Sequence, residues 1–188
     1  MPSTKFCRLE GGDQVPHDYG NVYLEEPSGA STRLVIGPSA GHVELMTELA
    51  AELRGEPWFV LYGLLVPRLG NREPGRYQSE PFGTHVELAA FLSAFRGFFE
   101  DDGRHHVWVG SAANDGVLVY DQHNVIFAYG PIERFRAILD ARGFRERSFW
   151  FPAPHVHSYS PENDAEEERL MAEAEWTYSP LRPGDEWS

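Results

Sequence analysis

His105-His106-Val107-Trp108-Val109-Gly110, Val117-Leu118-Val119-Tyr120 and Val125-Ile126-Phe127-Ala128-Tyr129 follow one another closely in the middle of the chain. Each run is rich in β-branched and aromatic residues, which suit a pleated surface. The links are short. Ser111-Ala112-Ala113-Asn114-Asp115-Gly116 ends in an Asp-Gly turn signal, and Asp121-Gln122-His123-Asn124 offers an acid to cap a turn and an Asn that tolerates left-handed backbone. Parallel neighbours would need a crossover of a dozen or more residues, so the three runs predict an antiparallel meander over about 105–130. The runs are apolar at nearly every position, which predicts an interior sheet covered on both faces.

Working outward, Gly130-Pro131 converts strand to helix. Pro suits the first helical turn, Glu133 sits near its positive end, and Ile132, Phe135, Ile138 and Leu139 form one stripe before Gly143. Upstream, Thr84-His85-Val86-Glu87 reads as a capping box opening a helix to about Phe99 that buries Val86, Leu88, Ala89, Leu92, Phe95 and Phe99. A helix from His42 to about Arg54 carries Val43, Met46, Leu49, Ala50 and Leu53, with Gly55 as its stop. Residues 21–25 and 32–36 predict a hairpin, and 57–66 a strongly apolar strand. Gly75–Ser79 reads as a short edge strand, Ser148–Phe151 as a last strand, and residues 1–20 as an edge strand or lead-in. Strands and helices in this irregular order predict an α+β domain with a mixed or mainly antiparallel sheet, its central meander covered by three to four helices. Residues 1–160 form the single domain, and 161–188 an acidic helix and tail packed on it or partly mobile.

The chain has 188 residues and a net charge of −13. That balance argues against sequence-independent binding to nucleic acid or to anionic membranes. No apolar stretch is long enough to span a bilayer, the N-terminus lacks an apolar signal core, and Cys7 is the single cysteine. Together these predict a cytoplasmic protein. Residues 161–188 hold nine acids against Arg169 and Arg182, a local charge of −7. The charge and the missing catalytic signatures motivate one functional expectation: non-covalent binding to a basic protein partner, in the manner of an adaptor or antidote, with steering by charge.

The competing expectation is a hydrolase. Gly37-Pro38-Ser39-Ala40-Gly41 is a G-x-S-x-G between a strand and a helix, the setting of a nucleophile elbow, and Ser39, Asp121 and His155 follow in relay order. Against it stand the few residues before Ser39, the restriction imposed by Pro38, and the ordinary use of Ser and Gly at helix starts. The second candidate is His155-Val156-His157. In an extended segment residues i and i+2 face the same side, so both imidazoles can grip one metal. Zinc, or another divalent metal, requires more ligands. His123 with Asp121, or the His105-His106 pair, would complete the set, with Tyr159 on the same side as an acid. His42 and His85, in first helical turns, read as surface residues, and Cys7 as a small buried hydrophobe.

Overall fold

The computed structural model describes residues 4–29, 31–68, 72–113 and 115–185. The chain begins with β1 (Phe6–Glu10), β2 (Asp13–Pro16), β3 (Val22–Ser28), β4 (Ser31–Gly37), α1 (His42–Ala50), β5 (Trp58–Leu64) and β6 (Gly75–Ser79). It continues through α2 (His85–Ala94), α3 (Arg96–Asp101), β7 (His105–Ser111), β8 (Val117–Tyr120), β9 (Ile126–Tyr129) and α4 (Ile132–Ala141). The remaining elements are β10 (Arg145–Glu146), β11 (His155–His157), α5 (Asn163–Glu173) and β12 (Trp176–Ser179). This is an α+β fold built on two sheets. The larger has nine strands in the order β10-β3-β4-β9-β8-β7-β5-β6-β12, antiparallel except where β10 joins β3; the smaller has the order β11-β1-β2.

The meander occupies the middle of the large sheet. β7 pairs β8 from Val107↔Tyr120 to Gly110↔Val117, and β8 pairs β9 from Val117↔Tyr129 to Tyr120↔Ile126. Its continuous apolarity resolves into two faces of period two. Val107, Val109, Leu118, Tyr120, Ile126 and Ala128 enter the main core beneath the helices. Val119 and Phe127, with Trp108, Val117 and Tyr129 partly buried, face the other way onto a smaller core with Phe6, Tyr19 and Val35. Helices thus cover one face only. The other is covered in part by the small sheet and by Phe149 and Phe151.

Local chemistry fixes the helix ends. Thr84 Oγ1 accepts from the Glu87 N–H while Glu87 accepts from the Thr84 N–H, completing the capping box. Gly143 (φ 78°) stops α4 in left-handed backbone, where a side chain would be strained, whereas α1, expected to run to about Arg54 with Gly55 as its stop, ends at Ala50 and passes into tighter turns through Leu53 before Gly55 (φ 89°) is reached.

Several local expectations need correction. The helix predicted to run to Phe99 breaks at Phe95 (φ −110°, ψ 11°), which turns Phe95, Phe98 and Phe99 all inward. Val86 lies on the outer side of that helix and is 77% exposed. Gly75–Ser79 is not an edge strand, because β12 pairs along its outer side from Trp176↔Ser79 to Ser179↔Arg76. Ser148–Phe151 joins no ladder: it crosses over the sheet face, turning Phe149 and Phe151 toward the small core and leaving Trp150 79% exposed. The lead-in is a hairpin of the small sheet. His42 is buried, stacked on Tyr120 with 5.1 Å between ring centroids, while His85 is half-buried with Nε2 3.0 Å from the Thr47 carbonyl oxygen.

The acidic C-terminal segment spends much of its charge on its own chain. Asp164 pairs with Arg68 and Arg104, Glu167 with Arg72 and Arg104, Glu168 with Arg72, Glu166 with Arg169, and Asp185 with Arg76. Trp176 packs against the main core and donates from its indole to the Leu170 carbonyl. Trp187, the other tryptophan of the tail, lies outside the described residues. No helix among the described residues is long and apolar enough to cross a membrane.

Candidate metal centre

His123 sits in the turn between β8 and β9. That turn is shaped by Asp121, a fully buried residue, whose Oδ1 accepts from the N–H groups of His123 (2.8 Å) and Val125 (3.3 Å). Asn124 takes left-handed backbone (φ 60°), which Asn adopts more readily than most residues. Asp121 Oδ2 then accepts from His123 Nδ1 at 2.7 Å. The turn chemistry read from the sequence is therefore the device that aims an imidazole.

His155 and His157 come from β11, whose pairing with β1 places Arg8 opposite His155, Cys7 opposite Val156 and Phe6 opposite His157. The two imidazoles share one face, and the fully buried Phe6 ring packs 5.1 Å from His155, 5.4 Å from His157 and 5.3 Å from His123. His155 Nδ1 donates to the Pro152 carbonyl at 2.7 Å, and His157 Nδ1 to the Gln122 carbonyl at 3.1 Å. With each Nδ1 held, Nε2 is the nitrogen that each ring has to offer. Gly103 closes behind them: a Cβ there would meet His157 Cβ at 2.9 Å and the carbonyl oxygens of Lys5 and Ser158 at 3.0 Å.

One ligand nitrogen from each of His123, His155 and His157 lies within 4.8 Å of the other two. A tetrahedral ion with bonds of about 2.0–2.1 Å draws its ligand nitrogens to roughly 3.4 Å apart, so a small inward turn of half-buried rings accommodates it. Burial, and then the neighbouring His123 and His155 rings, lower the His157 pKa to about 4, so this ring is neutral at pH 7 as a ligand must be. Burial pushes the Asp121 carboxyl up, but the hydrogen bond and charge of His123, with His106 and Lys5, outweigh it and hold it below its ordinary value. A carboxylate on the far nitrogen of a ligating His fixes its tautomer and raises its basicity.

The other candidates separate. His105 faces the main core between Phe98 (4.7 Å) and Tyr62 (5.0 Å), away from the cluster. His106 occupies the opposite face of β7 from His105, outside the three-histidine cluster, its pKa lowered to about 4 mainly by burial. Tyr159 lies under the guanidinium groups of Arg68 (5.2 Å) and Arg104 (5.6 Å). Ser39 enters the described hydrogen bonds through its backbone N–H, held by Asn21 Oδ1, while Asp121 serves His123 rather than His155. Cys7 is buried, its Sγ donating to the Thr4 carbonyl. Phe6 and the carbonyls of Gln122 and Pro152 are parts of the centre with no signature in sequence, because their role comes from backbone pairing and packing. Compared with protein-family models, curated proteins and solved structures, the chain matches none.

Proposed function

We propose that this chain is a metal-dependent hydrolase whose mononuclear centre is His123, His155 and His157. One observation carries the reading: three imidazoles from two sheets converge, each with its far nitrogen already bonded. Three imidazole ligands suit zinc, or another divalent ion that favours imidazole. A structural site closes with four protein ligands, whereas three leave a position for water or substrate. Such an ion supplies Lewis acidity to a water molecule and a carbonyl. The chain's own residues orient it. Asp121 holds His123, the Gln122 carbonyl ties His157 to the turn of the other sheet, and Phe6 and Phe151 shield the rings from bulk water.

Metal analysis of protein purified without a polyhistidine tag tests this directly. One zinc per chain is expected, lost in the His155→Ala, His157→Ala double variant, together with chelator-sensitive hydrolysis of an activated ester. A chain that takes up no divalent ion would end the proposal, and labelling of Ser39 by a fluorophosphonate probe would move the chemistry to that serine.

A further inference from the structure

The sheet face turned away from the helices is incompletely covered, and three cavities lie along it. The first, about 290 Å³, lies over Trp108, Phe127 and Tyr129; the second, about 310 Å³, shares Arg33 and Phe127 with it. The third, about 360 Å³, shares Phe149 and Trp150 with the second and reaches Tyr19 and Arg147. The middle cavity shares lining residues with both neighbours, so the three lie in a row and together make a segmented groove.

The groove borders the histidine cluster at two points. Phe151, in the wall of the middle cavity, stacks on His123 at 4.5 Å and 21°. Tyr19, in the wall of the third, donates from its hydroxyl to the His123 carbonyl at 3.0 Å.

Its chemistry is aromatic and electrically balanced. Arg33 lies over the Phe127 ring at 4.2 Å, bonded to Glu26 and to the Tyr129 hydroxyl, which fixes a planar donor group on the groove floor. At the other end Arg147 stands with Asp18. Two guanidinium groups against two carboxylates leave no net charge in a chain of −13. Burial, and then Arg8, lower the pKa of His17, keeping it neutral. A polyanion gains nothing from such a lining and is repelled by the molecule as a whole. A purely apolar occupant would waste the fixed polar groups, which in binding sites confer orientation and specificity. The lining matches a chain whose units present an apolar C–H face to aromatic rings and hydroxyls to Arg, Glu, Asp and Tyr side chains.

From this we infer that the groove binds an extended, uncharged saccharide chain and, granting the metal-centre reading above, presents it to the histidine cluster. Titration of the full chain with cellohexaose and with chitohexaose, followed by tryptophan fluorescence and calorimetry, tests it. At least one hexasaccharide is expected to bind and shift the tryptophan emission. Trp150→Ala and Arg147→Gln, both at exposed positions, are each expected to weaken binding about tenfold, about 1.4 kcal/mol. Circular dichroism checks that both variants fold. Chelator-treated protein is expected to bind the sugar equally, so loss of the metal reading and loss of the groove reading are distinguishable. Failure of both sugars to bind, binding unaffected by both substitutions, or tighter binding of heparin or of an uncharged leucine-rich peptide would each overturn the inference.

Discussion

At the scale of single residues the centre depends on Asp121. Its two oxygens accept from one imidazole and two backbone N–H groups, so it sets both the turn and the tautomer of His123. Asp121→Asn keeps the shape but presents an amide to Nδ1, and losses of this kind typically weaken metal affinity about 10–100-fold. Competition with a chromogenic chelator measures it; unchanged affinity would show that His123 is oriented by something else. His42 makes a different prediction. Burial, and then Lys5, lower its pKa to about 3, against 6.5 for the free side chain. The unfolded chain therefore binds a proton that the folded chain refuses between those values. Stability is full above about pH 6.5 and falls as pH drops through the window, by up to about 1.4 kcal/mol per unit for each such histidine. His106, lowered to about 4, acts in the same direction. Chemical denaturation between pH 7 and pH 4 is expected to show this slope, and His42→Phe to flatten it.

At the scale of elements, the cluster joins the β8–β9 turn of the large sheet to β11 of the small one. A bound ion is thus expected to slow amide exchange in β1 and β11 more than in β5 or β7. Equal protection everywhere would mean that the ion does not bridge the sheets. Gly103 is the tight point of that junction. Gly103→Ala inserts a methyl against His157 and two carbonyl oxygens, overpacking expected to cost about 1–3 kcal/mol and to weaken metal binding alongside stability. The junction also explains which parts of the elements were legible. The capping box, the stop at Gly143 and the meander follow from local chemistry. The pairing of β1 with β11 joins segments nearly 150 residues apart, and β6 with β12 nearly 100. No local pattern encodes such partners. Likewise Ser148–Phe151 has strand-like composition, yet its rings are used to cover a face rather than to extend a ladder.

At the scale of the molecule, charge is organised inward as much as outward. Arg104, 2% exposed, donates to both Asp102 oxygens and pairs with Asp164 and Glu167 of α5. Replacing it by Leu strands a fully buried carboxylate, and breaking a buried pair in this way typically costs about 3–5 kcal/mol. Thermal unfolding is the measurement; a loss below about 1 kcal/mol would place Asp102 in contact with water. The same network shows how part of the acidic charge is matched within the chain. A sum over the sequence counts acids and arginines, but only the fold reveals that Arg68, Arg72, Arg76 and Arg104 neutralise α5 and the tail.

The sequence by itself determined the α+β class, the meander, the helix caps and the three histidines worth attention, because propensity, periodicity and turn chemistry act between near neighbours. Tertiary structure alone decided that His123 meets His155 and His157 while His105 does not, that Asp121 serves His123, and that one sheet face stays open as a groove. Those outcomes turn on which distant segments pair and in what register, and a shift of one residue in β11 would send His155 and His157 to the other face.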